Sequence, residues 1–202
     1  MIALEKVDKS YSKGKVKAVK DLTLTVPPGE IFGFLGPNGA GKSTTIKMLI
    51  GLLKPDTGTV TLQGYDVMKE PLEVKKHTGY VPDEPVLYEK MTGRRYVNFI
   101  ADVYGVSQEM RDQRIGELSR SYEMDQALDE TIFSYSHGMK RKIQIIAALV
   151  HDPDIFILDE PMTGLDPRSS FTLKQTMRKL CDAGKTVFFS THVMEVAERI
   201  CD

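Results

Sequence analysis

Gly36-Pro37-Asn38-Gly39-Ala40-Gly41-Lys42-Ser43-Thr44 lies between an apolar run and a helix-like run, and it fits G-x-x-x-x-G-K-[ST] at every defined position. Gly36, Gly39 and Gly41 let the backbone turn tightly with its N–H groups pointing inward, forming a nest for phosphate oxygens. A helix starting near Lys42 adds free N–H groups and the positive end of its dipole. Lys42 has the reach for β- and γ-phosphates, and the Ser43 hydroxyl suits Mg²⁺. Upstream, Ile31-Phe32-Gly33-Phe34-Leu35 reads as a buried strand. Downstream, residues 45–53 place Ile46, Leu49, Ile50 and Leu53 on one helical face, with Pro55 read as the stop. Strand, glycine-rich loop and helix follow in the order a phosphate loop requires.

At 202 residues the chain is long enough for one substantial α/β domain or a core with a small appended lobe. Its net charge of -1 excludes a global basic field, so no nucleic-acid partner is expected. Cys181 and Cys201 are spaced as neither a zinc site nor a disulfide framework, and are read as two reduced thiols. The chain opens straight into charge at Glu5 and Lys6, unlike a signal peptide. The longest apolar stretch, residues 143–150, contains Gln144 and is too short to span a bilayer. Any membrane role is therefore expected to come through a partner.

Residues 1–7, 22–26, 58–62 and 79–81 read as strands, with Pro27-Pro28-Gly29 closing the second. From about Pro85 to Phe133 the pattern turns helical: Tyr96, Phe99, Ile100 and Val103 recur at helical spacing, as do Ile115, Leu118 and Tyr122. Then helix 138–151, strand 155–159, helix 168–182, strand 186–190 and helix 193–201 alternate. Alternation of this kind implies an α/β fold with a parallel sheet and helices on its faces.

Ile155-Phe156-Ile157-Leu158-Asp159-Glu160 is a buried strand ending in two carboxylates, at the edge where open α/β sheets bind ligands. Asp159 is placed to hold Mg²⁺, usually through water, and Glu160 to polarise an attacking water. In Ser134-Tyr135-Ser136-His137-Gly138-Met139-Lys140, Ser136 is a good N-cap and Gly138 permits close backbone approach. This makes a second helix N-terminus able to grip a γ-phosphate, or an ordinary capped helix. Asp166 caps the next helix on its own terms, and Lys140-Arg141-Lys142 reads as a solvated helix face.

With these elements in this order, the chain resembles a nucleotide-binding domain of the ATP-binding cassette family over essentially its whole length. Gly36–Thr44 is similar to the Walker A loop, Ile155–Glu160 to the Walker B strand with its catalytic glutamate, and Tyr135-Ser136-His137-Gly138-Met139 to the signature. Gly164-Leu165-Asp166-Pro167 resembles the D-loop, Ser190-Thr191-His192 the segment carrying the switch histidine, and Tyr11 the aromatic on which adenine stacks. Two departures stand out. His137 and Met139 replace the small and polar residues of the usual Leu-Ser-Gly-Gly-Gln, and Asp83 falls where the Q-loop glutamine is expected. These variants resemble a branch of bacterial exporters for drugs, antibiotics or lipids.

The resemblance implies a P-loop NTPase of RecA-like architecture: a mainly parallel core at 1–84 and 134–202, an N-terminal antiparallel β region, and a helical subdomain at 85–133. It implies ATP and Mg²⁺ as ligands, with Lys42, Glu160 and His192 in catalysis and Ser43, Asp83 and Asp159 around the metal. It also implies a transmembrane permease subunit, a location at the cytoplasmic face of the membrane, and a second cassette bound head to tail. The second copy would supply Ser136 and Gly138 to each ATP site. The chain stops inside a helix pattern at Cys201-Asp202, where cassettes usually continue, so a truncated domain is expected. A soluble cassette ATPase acting on ribosomes, DNA or cluster assembly is the alternative. The Ser136-His137-Gly138 element argues against a P-loop kinase.

Overall fold

A computed structural model describes residues 1–12 and 14–201, the side chains of Arg199 and Cys201 excepted. Its elements are β1 (Ile2–Tyr11), β2 (Val16–Val26), β3 (Ile31–Leu35), α1 (Lys42–Leu49), β4 (Thr57–Leu62), β5 (Tyr65–Asp66), α2 (Pro71–Lys76), β6 (Thr78–Val81), α3 (Gly93–Val103), α4 (Gln108–Ser121), α5 (His137–Leu149), β7 (Ile155–Asp159), α6 (Pro167–Asp182), β8 (Thr186–Thr191) and α7 (Met194–Cys201).

Two sheets result. An antiparallel one runs β2-β1-β4-β5, and a parallel one runs β3-β8-β7-β6. β7 shows what joins them. Its side chains alternate between two faces, as a strand requires. Ile155 and Ile157 pack with Ile46 and Leu49 of α1 and with Leu4, Val60 and Leu62 of the antiparallel sheet. Phe156 and Leu158 pack with Ile143 and Ile146 of α5 and Leu173 of α6. All five residues of β7 are buried, as expected of a central parallel strand covered on both faces. Each fully buried apolar side chain contributes about 1.5–3 kcal/mol relative to exposure. The register Val81↔Leu158, Asp159↔Ser190 and Leu35↔Thr191 brings the C-terminal ends of all four parallel strands to one edge. That edge delivers Gly36, Asp83, Glu160 and His192 together.

Several expectations need correction. The first helix ends at Leu49, well before Pro55. Gly51, left-handed at φ +71°, sends its N–H to the Met48 carbonyl at 3.1 Å, and the Leu52 N–H reaches the Lys47 carbonyl at 2.9 Å. This pair of bonds is a Schellman stop, so Gly51 and not Pro55 terminates the helix. The N-terminal strands are longer than read, because β1 and β2 form one long hairpin continuing to the Tyr11↔Val16 pair. The short α2 and β5 were not anticipated. Phe99 and Val103 are exposed although they share the helical spacing of the buried Tyr96. The Lys140-Arg141-Lys142 stretch is not a solvated face. Arg141 is completely buried and Lys142 nearly so, with Lys142 paired to Asp166 at 3.2 Å and Lys140 to Glu89 at 2.5 Å.

Cys181 is a free, half-buried thiol. The side chain of Cys201 lies outside the described residues. No described helix is long and apolar enough to cross a membrane.

Candidate active site

The glycine loop leaves β3 and closes onto α1. Gly39 and Gly41 are left-handed at φ +83° and +89°. At Gly41 a Cβ would stand 2.2 Å from the Ala18 carbonyl oxygen, so only glycine lets β2 lie against the loop. Gly36 works differently. It is not left-handed, and a Cβ there would crowd the Ala40 side chain at 3.2 Å. The Gly36 N–H is held by the Thr191 carbonyl at 3.2 Å, and the Ala40 N–H by the Pro37 carbonyl at 3.2 Å. Gly41 caps α1 without any side-chain cap, leaving the first N–H groups of α1 facing the cleft. Lys42 lies along the loop. Its Nζ donates to the Gly36 carbonyl at 2.7 Å and the Pro37 carbonyl at 3.2 Å.

A cleft of about 500 Å³ opens here, lined among others by Tyr11, Asn38, Lys42, Ser43, Asp83, Glu160 and His192. Sequence-read site residues from the ends of β1, β6, β7 and β8, from the glycine loop and from the start of α1 thus share one wall. Tyr11 is 41% exposed at the hairpin tip, with its hydroxyl 3.4 Å from Thr44 Oγ1. An exposed ring at that point provides a flat stacking surface. Glu160 is left-handed, φ +46°, which turns its carboxylate back over the loop. Its Oε1 lies 2.9 Å from His192 Nδ1 and 3.7 Å from Lys42 Nζ. A carboxylate accepts, so the His192 ring donates through Nδ1 and keeps Nε2 for another contact.

Asp159 is buried just behind this wall, its Oδ1 accepting from the Ser190 hydroxyl, while the same Ser190 Oγ accepts the Glu160 N–H at 3.2 Å. Burial first, and then repulsion from Asp159 and Glu160, push the Asp83 carboxyl above the usual aspartate range, with Arg141 opposing. The hydroxyl of Ser43 and the carboxylates of Asp159 and Asp83 are hard oxygen donors. That set fits Mg²⁺, which takes one or two carboxylates and otherwise keeps waters and substrate phosphates.

Ser136 and Gly138 do not line this cleft. Ser136 Oγ accepts the Met139 N–H at 3.3 Å as the cap of α5. Gly138 and Gly164 meet closely: a Cβ on Gly138 would stand 3.1 Å from the Gly164 carbonyl, and one on Gly164 would strike His137 at 2.3 Å. Asp166 caps α6, accepting the Ser169 N–H at 2.8 Å and the Ser169 hydroxyl at 2.7 Å.

Sequence reading missed Val16, Lys17, Ala18 and Thr163 on the wall, and named Ser190 only within the switch segment, not as the partner of Asp159 and Glu160 behind the wall. The first three have no local signal, since only the hairpin's fold-back brings them to the loop. Ser190 follows the apolar run of β8 at the position opposite Asp159, a pairing that only the register reveals.

A parallel sheet carrying a phosphate loop, with a strand-end acid pair and a histidine over it, defines a P-loop ATPase of the cassette type. The chain belongs to the ABC transporter family, whose model matches residues 19–163. It is the ATP-binding, ATP-hydrolysing subunit of such a transporter. It is 38% identical to the ABC transporter ATP-binding protein NatA of Bacillus subtilis, over the whole of this chain and 83% of that protein. It is also 38% identical to the Nod factor export ATP-binding protein I of Burkholderia orbicola, over the whole of this chain and 66% of that protein. Among solved structures, an ATP-binding subunit of an ABC transporter superposes with a TM-score of 0.94 at 34% identity, covering 100% of this chain and 83% of that one. The ATP-binding cassette MJ0796, a dimer in a post-hydrolysis state bound to ADP and Pi, superposes with a TM-score of 0.88 at 28% identity, covering 98% of this chain and 90% of that one.

Proposed function

We propose that this chain powers export through a separate transmembrane permease at the cytoplasmic face of the membrane, by closing head to tail on a second cassette around two ATP molecules. The observation that carries the chemistry is the contact of Glu160 Oε1 with both His192 Nδ1 and Lys42 Nζ at the mouth of the phosphate loop. Adenine stacks on Tyr11. The N–H groups of Gly39 and of Gly41 to Thr44, with the Lys42 ammonium, receive the phosphates. Glu160 orients and polarises the attacking water, and His192 holds the γ-phosphate and the Glu160 carboxylate in one geometry. Ser43 and Asp159, with Asp83 beside them, would hold Mg²⁺, which would supply charge neutralisation at the phosphates.

Ser136 and Gly138 have no part in their own chain's cleft. They are read as the lid for the partner's ATP; the similar cassette MJ0796 is a dimer bound to ADP and Pi. ATP then favours the closed dimer because only closure completes its contacts.

The segment 85–133 is read as the helical subdomain facing the permease. A second groove of about 290 Å³ supports that role, with Tyr80, Val86, Tyr96, Ile100 and Tyr104 on its walls. Val86 is 78% exposed beside it, an apolar surface of the kind a membrane subunit's cytoplasmic helix covers. Export as the direction rests on the likeness to the Nod factor export protein. Affinity purification of the full-length protein from solubilised membranes tests the reading. A polytopic membrane protein should accompany it, and its ATPase activity should rise in the complex. Recovery with ribosomes or DNA instead would refute it.

A further inference from the structure

Arg141, read from the sequence as solvated, is 0% exposed and buried beneath the ATP cleft. Its guanidinium faces four backbone carbonyls and, among the described residues, no carboxylate oxygen at hydrogen-bond distance. Nη2 donates to the Asp159 carbonyl at 2.7 Å and the Glu160 carbonyl at 2.9 Å. Nη1 donates to the Pro82 carbonyl and, at 3.1 Å, to the Asp83 carbonyl. The Asp159 and Glu160 carbonyls belong to the two peptide planes flanking the Glu160 Cα. The Pro82 and Asp83 carbonyls belong to the two planes flanking the Asp83 Cα. One nitrogen therefore grips both planes around Glu160, and the other grips both planes around Asp83. β6 and β7 are paired up to Val81↔Leu158 and part just beyond it, so the guanidinium spans the gap where the ladder has ended.

We propose that Arg141 is a positioning residue for hydrolysis: from α5 it fixes the backbone orientation of Glu160 and Asp83 together, and so aims both carboxylates into the cleft. Glu160 needs such a hold, because its left-handed backbone is one an ordinary residue leaves readily. The planar fork is what the geometry demands. It presents pairs of N–H groups in two fixed directions, whereas a lysine ammonium has a single nitrogen and cannot span both carbonyl pairs. The positive charge also faces Asp83, Asp159 and Glu160 from the protein side, partly offsetting their mutual repulsion. Arg141 does not line the cleft and touches none of Tyr11, Lys42 or Ser43, so nucleotide affinity should be largely independent of it.

The inference rests on the roles proposed for Glu160 and the cleft. Its test compares wild type, R141K and R141M as full-length protein, measuring melting temperature, Mg-ATP affinity and steady-state turnover. R141K keeps the charge, and R141M keeps much of the volume. A misaimed reacting group costs roughly 10- to 100-fold. In both variants kcat should therefore fall about tenfold or more, with KM and ATP affinity within about threefold of wild type. R141K turning over within about threefold of wild type would overturn the proposal. So would a parallel loss of ATP affinity, or failure of both variants to fold, since Arg141 would then serve the whole fold and not the aim of two side chains. A wild type without turnover defeats the catalytic reading itself and this proposal with it; an active wild type beside an equally active R141K defeats this proposal alone.

Discussion

At the scale of single residues, the site is organised around Glu160. A left-handed backbone in a non-glycine residue costs roughly 1–3 kcal/mol, and here it places one carboxylate oxygen between His192 and Lys42. Glu160→Gln keeps the shape and removes the carboxylate proposed as the base. Hydrolysis should fall by roughly 10²–10⁴-fold while ATP still binds, and a sizing column should show an ATP-dependent dimer. Near-normal turnover would refute the role given to Glu160. Asp83 is a different case. Its carboxyl is pushed up by burial and by its acidic neighbours, so the carboxylate is an unfavourable tenant there. Asp83→Gln should retain or raise turnover when rates are measured against Mg²⁺ concentration, and abolition would assign Asp83 as an essential ligand. Lys42, Ser43, Asp159 and Glu160 were legible because phosphate and metal chemistry impose residue type and spacing within one short stretch. Arg141 was not. A Lys-Arg-Lys run has the same letters whether it faces water or the protein interior, and only packing shows that its central side chain points into the core.

At the scale of elements, helix ends were legible where local chemistry marks them. Ser136 and Asp166, both read as caps, each cap a helix with a side-chain oxygen, and such caps are local chemistry; Thr92 and Ser107 cap α3 and α4 in the same way but were not read from the sequence. The stop of α1 depended on the conformation of Gly51, and Pro55 a few residues on gave a misleading signal. α2 carries few apolar residues, with Val74 its one buried side chain, so periodicity had little to register. Asp166 shows how a cap serves more than its own helix. Its carboxylate holds the first turn of α6 and also pairs with Lys142 of α5. Those hydrogen bonds, from the Ser169 N–H and hydroxyl first and from Lys142 after, hold its carboxyl well below the usual range. Asp166→Ala should cost about 1 kcal/mol, seen as a fall in melting temperature of roughly 2–4 °C for a domain of this size. Asp166→Asn should recover most of that loss, because asparagine caps nearly as well. An alanine variant as stable as wild type would show the cap to be idle.

At the scale of the whole molecule, acid stability tests how the helical segment is seated on the core. His151, just beyond α5, stacks on Tyr104 beyond α3 with ring centroids 3.7 Å apart. Burial lowers its pKa to about 4. The unfolded chain takes up this proton below about pH 6.5 and the folded chain does not. The stabilising effect of a neutral His151 is thus complete above pH 6.5, is lost as pH falls towards 4, and changes no further below that. His151→Phe keeps a ring against Tyr104 without the proton. Between pH 7 and pH 4.5 its melting temperature should fall less than that of wild type, and identical pH profiles would exclude His151 as the sensitive group. The parallel sheet was legible because its strands are short apolar runs separated by helices. The closeness of β2 to the loop was not, since it depends on a hairpin folding back over a distant segment. The placement of Ser136 and Gly138 outside their own cleft has a genetic consequence. If each ATP is enclosed by the loop of one chain and the signature of the other, a Lys42→Ala chain mixed with a Ser136→Arg chain forms heterodimers in which both lesions fall on one site and the other site is intact. Two inactive alleles should then complement each other in trans, whereas a chain carrying both lesions should poison both sites of any wild-type chain it pairs with.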